Sequence, residues 1–266
     1  MRTSTKRGTK AQTGPKVHRF NFNSIHELIK KMFEDEPTAK GTKYAYNQAN
    51  NSKVDPQWAG GLKGFTDYFD LLKNGYLPAV EELKNDQSGE GNHQLFTPSV
   101  CGEFSDVSAF LAGHPECMAN FEEQPFNNAI KININTCTPA DMEGPELMDR
   151  CKTIFNCINH LETNGKQVEI YISTAVSNGK THVKHEAQIK IKATEEPILP
   201  AFHGLLLGHL STTRVLIYSF LSLYSTVPTL GRVEEVNEPE MINISLMTDS
   251  NNQIKGKILT QGTGTL

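Results

Sequence analysis

Apolar positions recur along the chain with two different periods, and the points where the period changes mark the elements. In "FNFNSIHELIKKMF", Ile25, Leu28, Ile29, Met32 and Phe33 share one helical face, and Ser24 stands three residues before Glu27 in the spacing of a capping box. A helix is predicted from about 24 to 35, ended by Pro37. Residues 37–57 are polar and carry no period, so they read as a long loop, with room for a helical turn. Helical spacing returns in "GLKGFTDYFDLLKNGY" at Leu62, Phe65, Phe69 and Leu72, with Asn74 and Gly75 as a left-handed stop. Pro78 opens a shorter helix to about Leu83, and "NDQSGEGNH" reads as a solvated linker.

Beyond Leu95 the text changes. "DVSAFLAGHPECM" places Val107, Phe110 and Leu111 on one face of a short helix. "AIKININTC" alternates like a strand over residues 129–135 and then ends in Asn133, Asn135, Thr136 and Cys137. Pro145 follows at a helix start, and Leu147, Cys151, Ile154, Phe155, Ile158 and Leu161 form one continuous stripe. "VEIYISTAV" and "HEAQIKIKA" flank the turn signal "SNGK" and predict an antiparallel hairpin. "PAFHGLLLGHL" and "STTRVLIYSFLSLY" predict two further helices, and "MINISLM" a last strand. The order strand, helix, strand, strand, helix, strand predicts an α/β fold. It takes the form of an open three-layer sheet with a right-handed crossover and the hairpin as an antiparallel edge. That order resembles the start of von Willebrand factor A-type domains. The predicted division is a disordered basic tail over 1–19, an N-terminal helical appendage over 20–90, a sheet domain over 95–247 and a flexible polar tail over 248–266.

Composition changes this picture little. The 266 residues can bury a core without metals or disulfides, and 21% charged residues is an ordinary value. Five cysteines, an odd number, argue against a disulfide framework and fit a reducing compartment. No run approaches the roughly 18 apolar residues of a membrane span, and the basic N-terminus has no apolar stretch behind it, so a cytoplasmic protein without a membrane partner is expected.

Charge distribution changes it more. The net charge is −4, yet Arg2, Lys6, Arg7, Lys10, Lys16 and Arg19 occur in the first 19 residues without one acid. Such a segment gathers phosphates by counterion release, which makes nucleic acid or an acidic protein the expected contact, with a merely solubilising end as the bland reading.

Open α/β sheets place ligands at the carboxyl ends of their strands, where Asn133, Asn135, Thr136 and Cys137 stand. The A-type domains hold Mg²⁺ there through Asp-x-Ser-x-Ser. The matching positions here read Asn133, Asn135 and Cys137, an amide in place of the carboxylate and a thiol in place of the last hydroxyl. No cofactor is therefore expected; magnesium is the ion such a site would take, with Asn133, Asn135 and Asp141 as the weak candidate ligands. His114 with Cys117 and His182 with His185 have ligand spacing, but neither has the second half of a zinc site. Nucleophilic catalysis would start from Cys101 or Cys137, with no base singled out among nine histidines. Trp58, the one tryptophan, is expected to plug the helical part onto the sheet, or else to present an aromatic to a partner.

These residues together resemble an uncharacterised family of proteins encoded by tailed bacteriophages. The resemblance rests on "WAGGLKGFTDYFDLLKNGY" (Trp58 to Tyr76) and on "DVSAFLAGHPECMANFEE" (Asp106 to Glu123), which carries Gly113, Pro115, Glu116 and Cys117. It rests further on "KININTC" and "VEIYIS", and spans about residues 20–235. Asn133 fits the family's Asn-x-Ser-x-Ser strand, while Asn135, Cys137 and Tyr76 depart from its pattern. The resemblance implies no catalytic residues and a place in the host bacterial cytoplasm or the virion. The expected function is a non-enzymatic interaction protein, associated with nucleic acid through its basic tail. The alternatives are a metal-dependent hydrolase built on the strand end, and a virion or assembly component.

Overall fold

The computed structural model describes residues 16–84, 96–99, 104–105, 118–121, 129–138, 142–178, 183–225, 232–234, 236 and 238–245. Strand β1 (Lys16–Phe22) opens it, followed by helices α1 (Ile25–Asp35), α2 (Tyr44–Asn50), α3 (Phe65–Asn74) and α4 (Leu77–Lys84). Short strands β2 (Phe96–Ser99), β3 (Phe104–Ser105) and β4 (Met118–Phe121) form a small antiparallel sheet of their own. Next come β5 (Ile130–Asn135), α5 (Gly144–Thr163), β6 (Val168–Asn178), β7 (Val183–Lys192) and α6 (Pro200–Gly208). A π-helical stretch, Thr212–Ile217, runs into α7 (Tyr218–Ser222), and β8 (Arg232–Glu234) and β9 (Ile242–Ser245) close the described chain.

The main sheet is mixed, in the order β1-β7-β6-β5-β9, so the α/β class predicted from the pattern is observed. β5 runs parallel to both β6 and β9, β6 and β7 form the antiparallel pair, and β8 pairs with Ala175 to Ser177 at the far end of β6. The hairpin is interior and not an edge, because β1 lies outside β7 and parallel to it. Lys16 to Arg19, expected in the basic tail, are thus the first half of a strand. The physical reason sits in its second half, where Phe20 and Phe22 pack edge-on against Phe220 at 5.1 and 5.2 Å and anchor the strand to α7. Of the expected loop 37–57, residues 44–50 form α2; the helix expected near Val107 lies outside the described residues.

Alternation gives the sheet two unlike faces. Ile132, Ile134, Ile170, Ile172, Ala187 and Ile189 turn to one side and are buried there. Asn133, Asn135, Tyr171, Ser173, Glu186 and Gln188 turn to the other. The described helices pack on the apolar side, directly or through one another, so the predicted third layer is not formed by any of them. Nor do the N-terminal helices stand apart as an appendage. Ile25, Leu28, Met32, Phe65, Tyr68 and Leu83 belong to the same core as the sheet and the C-terminal helices.

Local chemistry explains the boundaries. Ser24 Oγ accepts the Glu27 amide at 3.2 Å and Glu27 reaches back to the Asn23 amide at 2.7 Å, so the capping box starts α1. A bulge between Ile170 and Tyr171 shifts the β6–β7 register and brings Lys192 opposite Ile170 on the helix side. There the fully buried ammonium meets Glu162 of α5 at 2.7 Å and the Val168 carbonyl at 2.9 Å.

Candidate functional site

The polar end of β5 is buried, not open: Asn133 is 0% and Asn135 1% exposed. The Asn135 carboxamide donates to the Val236 carbonyl at 3.0 Å and accepts the Val236 amide at 2.7 Å, and so reproduces both halves of a main-chain bridge. Its oxygen also accepts the Ser173 hydroxyl at 3.3 Å. Asn133 donates to the same Val236 carbonyl at 2.8 Å and to Asn243 Oδ1 at 2.9 Å, its register partner on β9. Asn243 in turn accepts the Glu238 amide at 2.9 Å and donates to the Glu238 and Met241 carbonyls at 2.8 and 3.1 Å. Three asparagines therefore clasp the chain leading into β9 against the polar face of β5.

This arrangement does not fit a magnesium ion. Each of the two strand-end amides aims its NH₂ at a carbonyl oxygen, and a hard cation wants an octahedral shell of oxygens. Of the two amide oxygens, only Asn133 Oδ1 lacks a hydrogen-bond partner among the described residues. Asp141 lies outside the described residues, and among them no group of three or more His, Cys, Asp or Glu is placed to hold a metal. Thr136 hydrogen-bonds the Thr174 hydroxyl, and its carbonyl accepts from Thr213 Oγ1 at 3.1 Å, so the strand end is tied to the π-helical stretch as well.

The remaining predicted site residues are scattered. Arg2, Lys6, Arg7 and Lys10 lie outside the described residues, while Lys16 is exposed at the start of β1. Arg19 is bound to Glu186 at 2.8 Å and Glu238 at 2.9 Å across the polar face. Trp58 lies 6.2 Å from Tyr218, under the Arg214 guanidinium at 5.4 Å, and its carbonyl accepts from Arg214 at 2.5 Å. It joins the N-terminal helices to the π-helical stretch and is partly buried in doing so.

Among the cysteines, Cys137 and Cys151 are buried and Cys157 exposed; burial pushes the Cys151 thiol up to about 12, away from nucleophilic use. His114, Cys101, Cys117 and His182 lie outside the described residues. His209 sits 2.6 Å from Ser211 Oγ, which looks like half of a catalytic dyad. Burial lowers its imidazole to about 4, and Ser211 is fully enclosed.

Charge on the polar face is compensated pair by pair. Burial works against the Glu169 carboxylate, but hydrogen bonds from Lys190 and Tyr171 and the charges of Lys190 and Lys131 hold its proton affinity below the usual range. Sequence reasoning missed Asn243 and Val236, the two partners that give the strand-end amides their role. The signal was present for Asn243, since "MINIS" repeats the Ile-Asn-Ile of "KININ". Val236 contributes only main-chain atoms, which leave no mark in the text.

Among the described residues no helix is long and apolar enough to cross a membrane. No curated protein and no solved structure matches the chain. A family described as a domain of unknown function, DUF7192, matches residues 5–257. That match runs through β1, the helices, the asparagine clasp and β9, and the chain belongs to this family.

Proposed function

We propose that the protein is a non-enzymatic interaction protein, encoded by a tailed bacteriophage and acting in the host cytoplasm through its surface and its basic N-terminal segment. The observation that carries this reading is the asparagine clasp. The cluster that stands where an A-type domain keeps its metal spends its amide protons on Val236 and Asn243, holding the fold together. Likeness to a degenerate von Willebrand factor A-type domain is part of the same proposal, supported by the order β5, α5, β6, β7. The positive segment upstream of Lys16, with Arg2, Lys6, Arg7 and Lys10 and no acid, carries a charge that attracts polyanions.

The test compares the full chain with a chain lacking residues 1–15. Deletion through Arg19 would remove half of β1 and confuse binding with folding. Fluorescence anisotropy with single- and double-stranded DNA at about 20 mM salt should show binding by the full chain, weakened at least about tenfold by the deletion and lost near about 200 mM salt. No binding by the full chain at low salt would refute the nucleic-acid partner. A rise in melting temperature of several degrees with Mg²⁺ or Mn²⁺ would favour the metal-dependent hydrolase instead.

A further inference from the structure

β1 is held to the sheet by two unlike halves. Its second half is anchored by Phe20, whose ring lies 4.5 Å from Tyr224 and 5.1 Å from Phe220, by Phe22, and by the double ion pair of Arg19. Its first half, Lys16 to His18, is exposed and has no such anchor among the described residues. What it has is His18, in register with His185 on β7, their rings stacked at 5.3 Å and 25° from parallel.

We propose that His18 and His185 form a proton-sensitive latch, closed while both rings are neutral, that lets the first half of β1 leave β7 in mildly acidic solution. Two neutral imidazoles stack favourably, whereas two imidazoliums at this separation repel. Among the described residues the neighbours do not relieve that repulsion. Lys16 lies on the same side of β1 and adds positive charge. Val183 and Ala187 flank His185 on its own face of β7, Val176 faces it from β6 and Val233 of β8 pairs with Val176, and none of them is charged. Glu186, the adjacent carboxylate, points to the other face, into Arg19 and Lys184. His185 Nδ1 is buried with no hydrogen-bond partner among the described residues, so a proton added there would bury a donor with nothing to accept it. In keeping with this geometry, burial and the charge of His18 both make His185 harder to protonate than a free histidine.

The sign follows from linkage. A histidine whose affinity for a proton is lowered by folding stabilises the closed state above its unfolded value, and that stabilisation is lost as pH falls toward the folded value. Opening would release Lys16 to His18 from the sheet, add two positive charges beside Lys16 and Lys184, and uncover the edge of β7 at Val183 to His185.

Amide hydrogen exchange on the full chain, corrected for intrinsic rates, at about pH 7.5 and about pH 5.5 tests this. Whichever of the adjacent Val17 and His18 amides faces β7 should lose at least about tenfold in protection at the lower pH, while the β7-facing amide of the Asn21–Phe22 pair and the amides of β5 and β6 keep theirs. In His18→Gln the difference between the two pH values should vanish, and His185→Gln should behave alike. His18 is exposed, so its variant folds even if the second does not. Unchanged protection at that β7-facing amide in the unmodified chain, or the same acid loss in His18→Gln, would overturn the latch.

Discussion

Asn135 carries two functions that an ionised carboxylate cannot combine, since its one amide both donates to the Val236 carbonyl and accepts from the Val236 amide. Asn135→Asp is nearly isosteric but sets a carboxylate against the Val236 carbonyl in a site only 1% exposed. A loss of about 2–4 kcal/mol is expected from the broken bond and the buried charge together, read as a lower urea midpoint at neutral pH. Lowering the pH should recover part of it, because the protonated acid can donate to the carbonyl again. A variant as stable as the parent would mean that the clasp contributes nothing. The residue types at the β5 end were legible as polar intrusions in an apolar strand. Their purpose was not, because the partner lies 101 residues downstream and offers only its backbone.

Elements follow their sequence signals where the signal is local. The capping box of α1, the stripe of α5, the hairpin and the two Ile-Asn-Ile strands stand where periodicity puts them. The exceptions are elements made by distant partners. β1 reads as the end of a basic tail until Phe220 and Tyr224 are seen beneath it, and the register bulge that buries Lys192 has no sequence signature. That bulge sets up an asymmetric ion pair, with Lys192 fully enclosed and the Glu162 side chain 23% exposed. Glu162→Gln leaves a buried ammonium facing two main-chain carbonyls and is expected to cost about 3–5 kcal/mol. Lys192→Met leaves a carboxylate that can turn to water, and should cost no more than half as much. Chemical denaturation of both variants decides the order; a larger loss in Lys192→Met would show that the pair is not limited by desolvation of the lysine.

At the scale of the molecule, a linker-like stretch after α4 invites a division into two domains that the packing does not respect. Gly41 and Lys43 donate to the Leu223 and Ser222 carbonyls at 2.8 and 3.1 Å, and Tyr68 hydrogen-bonds Thr212 at 3.3 Å in the interior. α4 lies so close to α6 that a Cβ on Gly204 would come within 2.3 Å of the Ala79 Cβ. The C-terminal helices are buried almost all round, with Leu205, Leu206, Leu207, Leu210, Val215, Leu216, Ile217, Phe220 and Leu221 all enclosed. A helix of that kind needs cover on every side; the sheet and α5 supply one side and α2, α3 and α4 the other. Residues 86–266 expressed alone would uncover that second side, so the fragment is expected to aggregate or to keep secondary structure without fixed tertiary packing. The full chain should unfold in one transition by far-UV and near-UV circular dichroism alike. A fragment that melts cooperatively with native near-UV signal, or two separate transitions in the full chain, would restore the two-domain division and make the helical layer an accessory to the sheet.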